Sequence, residues 1–188
     1  MTTDYVTIVS GMPRSGTSLM MRMLDRGGIP ALTDGRRPPD PHNPYGYYED
    51  ERARRLAQDA AWLNEARGKA VKIIYRLLPH IPQDFDCRIL FMERDIEEIY
   101  DSQQKMLETA SHPAANQDRQ SLIQALAKDL ELTRTRLAAH PCLFIPYPRL
   151  IATPETWLPK LTNFLQSDLD TEAMRQAIDP TLYRNRRA

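Results

Sequence analysis

Cysteine is scarce in this sequence, and long apolar runs are missing. Cys87 and Cys142 are the only cysteines among 188 residues, too few for a disulfide framework and without the spacing of a metal site. No apolar segment approaches the roughly 20 residues that span a bilayer, and the start MTTDYVTIVS does not have the basic and apolar regions of a secretory signal. We therefore expect a cytoplasmic protein with two buried free thiols and no metal.

Net charge is also missing. The 25 basic and 25 acidic side chains cancel, so we do not expect general affinity for nucleic acid or for an anionic membrane. Apolar residues make up 41% and charged residues 27%, as in ordinary globular proteins. The length is near the common single-domain size, so we expect residues 1–188 to form one domain.

Four short apolar runs are present, and they predict buried strands. They are rich in Val, Ile and Phe, and apolar residues do not alternate regularly with polar ones, as expected for strands covered on both faces. The runs are YVTIVS (5–10), AVKIIY (70–75), CRILFME (87–93) and CLFIPY (142–147). Segments with helical spacing of apolar residues lie between them. This alternation predicts an α/β fold, a three-layer sandwich with a P-loop-like parallel sheet of four to five strands.

The run SGMPRSGTS, between the first predicted strand and the first predicted helix, is typical of a phosphate-binding loop. Gly11 and Gly16 allow sharp turns that point successive N–H groups inward at the positive end of a helix. Thr17 and Ser18 add hydroxyl donors, and Arg14 adds a fixed positive charge. The sequence therefore predicts an anion site at this loop.

The loop departs from that of nucleoside triphosphatases, because Thr17 stands where they place a lysine on the β- and γ-phosphates. A sulfonate in transfer carries less charge than a phosphoryl group, so amides, hydroxyls and one or two cations suffice to stabilise it without a metal. The loop favours such a ligand. One alternative is a P-loop kinase or nucleotide hydrolase, with ILFMERD as a strand that ends in a magnesium-binding acid. Another is a non-catalytic nucleotide-binding module.

A second candidate anion site follows the third predicted strand. Arg94 lies at the carboxyl end of that strand, where ligands gather in open α/β sheets. Ser102 follows eight residues later in the next helix, off its apolar stripe. The alternative is an Arg94 that pairs with Asp95 or Glu98 and a Ser102 that faces solvent.

Together, PRSGTS after one strand and RDIEEIYDS after a later strand resemble the sulfotransferases that use 3′-phosphoadenosine 5′-phosphosulfate (PAPS). NPYGYYED is similar to a segment of small bacterial members. The resemblance implies PAPS as co-substrate and transfer of a sulfonate to an acceptor hydroxyl or amine. It implies 5′-phosphosulfate binding by Arg14, Ser15, Gly16, Thr17 and Ser18. It implies 3′-phosphate binding by Arg94 and Ser102.

Two parts of the family pattern are missing. YRLLP places Leu77 where many members that act on phenols and steroids have a histidine base. The glycine-rich, lysine-containing closing loop is not recognisable either. The basic tail LYRNRRA (182–188) either replaces part of that loop or is a solvated terminus.

Glu49 is our candidate for the base that takes the acceptor proton. It ends the proline-rich segment 34–50, just before a predicted helical run. The alternative is that Glu49 belongs to an acidic first turn that favours the helix dipole. Our other catalytic candidates are Arg14, whose charge would stabilise the sulfonate and the departing phosphate, and Lys72, because a lysine inside a buried strand needs an anion or a carboxylate as partner. We predict that Lys72 contacts the bridging oxygen of PAPS, the alternative being a side chain that reaches solvent.

The proline-rich segment is either a disordered stretch or an ordered loop that covers a ligand. Tyr45, Tyr47 and Tyr48 favour the ordered loop. With Arg36 and Arg37 they predict a partly aromatic, partly cationic mouth of the site. Such a mouth suits sugars, phenols and acidic groups alike, so we expect a small-molecule or carbohydrate acceptor.

Overall fold

A four-stranded parallel sheet forms the centre of the computed structural model, which describes residues 4–109 and 118–183. The strands lie in the order β2-β1-β3-β4. Their bounds are Val6–Gly11 (β1), Ala70–Lys72 (β2), Cys87–Glu93 (β3) and Cys142–Pro146 (β4). The predicted parallel sheet is confirmed, with four strands.

Helices connect the strands and follow the last one. Within the described residues they are Thr17–Arg26 (α1), Ile96–Thr109 (α2), Arg119–Leu137 (α3), Tyr147–Ala152 (α4), Pro154–Leu165 (α5) and Thr171–Gln176 (α6). Shorter 3₁₀ helices cover Glu51–Arg55, Ala61–Ala66, Tyr75–His80 and Pro180–Leu182. Across the described ranges, no helix combines the length and the apolar character needed to cross a membrane.

Both faces of the sheet are buried. Val9, Leu90 and Ile145 lie on one face, in an apolar cluster with side chains of α1, α5 and α6. Ile8 and Phe91 lie on the other face, with the 3₁₀ helices and parts of α2 and α3. This burial explains why the strands are apolar without alternation. The α/β arrangement, with helices on the two faces of the sheet, agrees with the prediction.

The second strand is shorter than predicted, because it ends at Lys72 rather than at residue 75. The Ile73 N–H still donates to the Val9 carbonyl (3.0 Å), and the Ile73 carbonyl accepts from the Ser10 hydroxyl (2.7 Å). The Ser10 hydroxyl thus donates the hydrogen bond that a main-chain N–H of β1 would donate if the pairing continued. The chain then turns into the 3₁₀ helix Tyr75–His80.

The proline-rich segment 34–50 is an irregular loop held by side-chain hydrogen bonds. The Asp40 carboxylate accepts from the N–H groups of His42 (2.8 Å) and Asn43 (2.9 Å) and from the Tyr47 hydroxyl (2.5 Å). Burial alone would raise the pKa of Asp40, but these hydrogen bonds bring it below its ordinary value. Hydrogen bonds from Arg14 to the His42 carbonyl and from Asn43 to Ser18 place this segment next to the loop after β1.

Candidate active site

The loop between β1 and α1 presents main-chain N–H groups toward a cavity. Gly16, Thr17 and Ser18 line that cavity at the start of α1. The first N–H groups of a helix have no acceptor within the helix. Among the described residues, these three N–H groups have no other acceptor either. The loop therefore offers three free donors at the positive end of α1, as an anion site requires.

Gly16 is required for this geometry on two grounds. Its φ of 101° lies in the left-handed region that disfavours side chains. In addition, a Cβ at this position would overlap the ring of Tyr147, which follows β4. Arg14 also has a positive φ, 74°, so the turn holds a non-glycine residue in a strained conformation.

The Ser15 side chain points away from the cavity. Its hydroxyl is fully buried beneath the loop and has no hydrogen-bond partner among the described residues. The Ser15 N–H donates to the Met12 carbonyl (3.1 Å) and closes the turn. A Cβ on Gly11 would collide with the Ser15 hydroxyl. The structure therefore places Ser15 inside the loop, whereas Ser18 faces the cavity.

Ser18 and Lys72 are connected by a hydrogen bond. The Ser18 hydroxyl accepts from the Lys72 ammonium (3.1 Å) and from the Asn43 amide (2.9 Å). The ammonium also donates to the Tyr47 carbonyl (2.8 Å) and lies 3.4 Å from a Glu49 carboxylate oxygen. Burial lowers the pKa of Lys72, and the carboxylate of Glu49 opposes this shift. Lys72 is thus a largely buried cation beside the anion-binding loop.

Glu49 faces the cavity, surrounded by cations. Besides Lys72, the Arg37 guanidinium lies 3.3 Å from its carboxylate and that of Arg54 lies 3.9 Å away. The cap of the 3₁₀ helix Glu51–Arg55 is Asp50, whose carboxylate accepts from the Arg52 N–H (3.0 Å). Asp50, rather than Glu49, therefore caps the start of this helix.

Arg94 and Ser102 lie next to the loop after β1. The Arg94 guanidinium donates to the Arg14 carbonyl (3.1 Å), and the Arg14 Nε donates to the Ser102 hydroxyl (3.0 Å). Ser102 is buried rather than facing solvent. Arg94 also pairs with Glu98 at 2.8 Å, and both of these side chains are buried. The two predicted anion sites are thus in contact, and the expected alternative pairing of Arg94 with Glu98 is present as well.

Positive charge exceeds negative charge among the residues that line the cavity next to these sites. Burial lowers the pKa of Arg14, and the neighbouring Arg94 lowers it further. Glu98 supplies a carboxylate to Arg94 at this point. A buried pair of guanidinium groups is costly without anions to balance it. This arrangement suits a ligand with negative charge.

Tyr183, in the C-terminal segment, packs against Arg94. The Tyr183 hydroxyl donates to the Glu98 carboxylate (2.9 Å), and the Tyr183 ring lies below the Arg94 guanidinium and packs edge-on against Tyr147. Burial and the hydrogen bond to Glu98 raise the pKa of Tyr183 to about 12. Leu182 lines the cavity. The rest of the predicted basic tail, residues 184–188, lies outside the described residues.

One cavity of about 380 Å³ is lined by most of these groups, but not by Ser15, Glu98, Ser102 or Tyr183. This volume is in the range of small-molecule sites. Its walls include the loop after β1, Arg94, Lys72 and Glu49. The sequence did not single out Asn43 or Tyr147, which also line it. Tyr147 directly follows β4. Ligands bind at the carboxyl ends of parallel strands, and this principle, which identified Arg94, would have identified Tyr147 as well.

The acids near the end of β3 have structural partners. Glu93 pairs with Arg134 of α3. The Asp95 carboxylate accepts from the N–H groups of Glu97 and Glu98, both at 3.0 Å, at the start of α2. In the part of the chain that the structure describes, no group of three or more His, Cys, Asp or Glu side chains has the arrangement of a metal site.

Together the sheet, the loop after β1 and Arg94 define an α/β protein with a cavity that is lined by several cationic side chains. No profile of a known protein family matches the sequence, and no curated protein matches it. Among solved structures, the chain is similar to the sulfotransferase domain of the olefin synthase from Synechococcus PCC 7002. The TM-score is 0.54 and the identity 17%, over 98% of this chain and 80% of that chain.

A second similar structure is the sulfotransferase STF1 from Mycobacterium tuberculosis H37Rv. The TM-score is again 0.54 and the identity 16%, over 93% of this chain and 70% of that chain. At such low identities the likeness concerns the fold. The chain therefore has the fold of bacterial sulfotransferases, as its two motifs predicted.

Proposed function

We propose that this protein is a sulfotransferase that moves a sulfonate group from PAPS to an acceptor hydroxyl or amine. The observation that carries this proposal is the pair of hydrogen bonds that join Arg94 to Arg14 and Arg14 to Ser102. They bring the two candidate anion sites into contact, as a nucleotide with phosphate at both its 5′ and 3′ positions would require.

The 5′-phosphosulfate would lie on the loop after β1. The N–H groups of Gly16, Thr17 and Ser18 are available there, and the guanidinium of Arg14 adds positive charge. Ser15 would support the loop from beneath, because its hydroxyl is buried inside the turn. These preorganised donors would stabilise the charge on the sulfonate and on the departing phosphate.

The 3′-phosphate would lie between Arg94 and Ser102. Glu98 and Tyr183 hold the Arg94 guanidinium in place. Ser102 is buried and its oxygen accepts from Arg14, so its hydroxyl proton would be free to donate to a phosphate oxygen that reached it beside Arg14. A guanidinium and a hydroxyl are an ordinary combination for phosphate recognition.

In the reaction, the acceptor oxygen would form a bond to the sulfur while the bond from sulfur to the 5′-phosphate oxygen breaks. The Glu49 carboxylate would take the acceptor proton. The Lys72 ammonium would stabilise the charge that develops on the departing phosphate. The products are the sulfated acceptor and 3′,5′-adenosine bisphosphate.

Calorimetry tests the proposal against nucleotide kinases and hydrolases. We expect 3′,5′-adenosine bisphosphate to bind in buffer that contains EDTA, since the site uses amides and guanidinium groups. ATP with magnesium should bind more weakly. Tight ATP binding that depends on magnesium, without binding of the bisphosphate, would contradict the proposal.

An exchange assay tests catalysis and separates the proposal from a non-catalytic module. With 4-nitrophenyl sulfate and 3′,5′-adenosine bisphosphate, the reverse reaction releases 4-nitrophenol and forms PAPS. We expect release that depends on the bisphosphate. Tight bisphosphate binding without transfer to or from this compound or a panel of alcohols, phenols, amines and sugars would favour the module.

A further inference from the structure

Part of the cavity lining is apolar. Among the lining residues are Ala53, Ile74, Leu77 and Met106, and we refer to these four residues as the apolar wall. Ile74 is 46% exposed, although large aliphatic side chains are usually buried. Leu132, on α3, has a similar exposure of 48% but does not line the cavity. Exposed apolar surface inside a cavity is a feature of ligand sites.

The apolar wall lies next to the groups proposed to transfer the sulfonate. Ile74 follows Lys72 by two residues, and the Leu77 N–H donates to the Ile74 carbonyl (2.9 Å) in the same turn. Ala53 precedes Arg54, whose guanidinium lies 3.9 Å from the Glu49 carboxylate. These residues line the same cavity as Lys72 and Glu49.

Met106 adds a residue of α2 to the apolar wall. It lies one helical turn beyond Ser102 on α2, so the two side chains share a face of the helix. Ser102 in turn contacts Arg14 of the anion-binding loop. An acceptor whose hydroxyl reaches the loop and Glu49 would thus have its body against the apolar wall.

The apolar wall distinguishes between classes of acceptor. Three of its side chains have no hydrogen-bonding group and the Met106 thioether is only a weak acceptor, so sugar hydroxyls placed there would lose their water partners without adequate replacement. An alkyl or aryl body has no hydrogen bonds to water to lose, and its binding removes apolar surface from water. Burial of each CH₂ group contributes about 0.8 kcal/mol, which is roughly a fourfold gain in affinity.

We infer that the acceptor is an alcohol or a phenol with an apolar body rather than a sugar. This inference rests on the proposed function, since it assigns the apolar wall to the acceptor of that reaction. Substitution of Ile74 by a small polar residue should reduce the preference without unfolding the protein, because the side chain is nearly half exposed.

The experiment is a binding titration on protein saturated with 3′,5′-adenosine bisphosphate. The n-alkanols from butanol to octanol are compared with glucose, for wild type, Ile74→Ser and the matched control Leu132→Ser. We expect affinity to rise roughly threefold to fourfold per added CH₂ in wild type and in Leu132→Ser. In Ile74→Ser the rise per CH₂ should be clearly smaller. Glucose should bind more weakly than any of the alkanols.

Two results would overturn the inference while leaving the proposed function intact. One is bisphosphate binding together with glucose binding more tightly than octanol. The other is a dependence on chain length that is flat or that is the same in Ile74→Ser as in wild type. By contrast, a wild-type protein that does not bind the bisphosphate at all would overturn the proposed function itself, and the inference with it.

Discussion

The Arg94 guanidinium donates a hydrogen bond to the main-chain carbonyl of Arg14 (3.1 Å), across 80 residues of sequence. The contact follows from topology. β1 and β3 are parallel neighbours, so their carboxyl ends lie side by side and the segments that leave them meet. Two short motifs far apart in the sequence thereby form one site.

Gly16→Ala should destabilise the protein more than Gly28→Ala. Both glycines have φ near 100°, at 101° and 105°, so either alanine carries a backbone strain of about 1–2 kcal/mol. Only at Gly16 would the new Cβ also overlap the Tyr147 ring, which adds about 1–3 kcal/mol. Urea unfolding of the two variants measures the difference, and equal losses of stability would contradict the close packing of Tyr147 on the loop.

The sequence was sufficient to predict the sheet and the glycine-containing loop after β1, because both depend on local pattern. The strands are apolar runs rich in β-branched residues, and the loop after β1 has its glycines at fixed spacing. Arg94 was predictable as well, since it ends an apolar strand. These features involve only residues close together in the sequence.

The contacts inside the cavity were not predictable in the same way. Asn43 and Tyr47 reach Ser18 and Lys72 from an irregular loop that has no periodicity to indicate its path. Tyr183 reaches Glu98 from the other end of the chain. Such contacts depend on packing between distant segments, so a single sequence does not reveal them.

Ser102→Ala should weaken binding of 3′,5′-adenosine bisphosphate roughly twofold to tenfold, the cost of one hydrogen bond. Adenosine 5′-monophosphate, which has no 3′-phosphate, should lose less affinity. Calorimetry with both ligands gives the comparison. Equal losses for the two ligands would mean that the Ser102 hydroxyl acts only through Arg14, to which it is bonded.

Glu49→Gln should reduce kcat of sulfonate transfer by about 10²–10⁴-fold, because the amide cannot take the acceptor proton. Affinity for the bisphosphate should change little. The matched control is Glu51→Gln, which alters an acid two residues away whose partners Arg36 and Arg55 are both largely exposed. Should affinity and kcat of Glu49→Gln fall together, Glu49 would be a binding group rather than the base.

Lys72 should give the reaction an alkaline limit that Lys72→Arg moves upward. Burial lowers the pKa of Lys72 from its ordinary value near 10.5, so the ammonium loses its proton at a lower pH than an exposed lysine. Above the folded-state pKa, the charge proposed to stabilise the departing phosphate is absent. A guanidinium keeps its charge throughout this range, so kcat measured against pH should decline later in Lys72→Arg than in wild type.

The same shift predicts how Lys72 contributes to stability. Between its folded-state pKa and 10.5 the unfolded chain binds more protons at this residue than the folded protein does, so its contribution to the free energy of unfolding rises with pH. Lys72→Met removes the titrating group, and the difference in stability between wild type and Lys72→Met should therefore shift in favour of wild type as pH rises through that window. Urea unfolding at several pH values measures this difference. A difference independent of pH, together with identical alkaline limits in wild type and Lys72→Arg, would show that the pKa of Lys72 is not lowered and that its charge does not act in the transfer step.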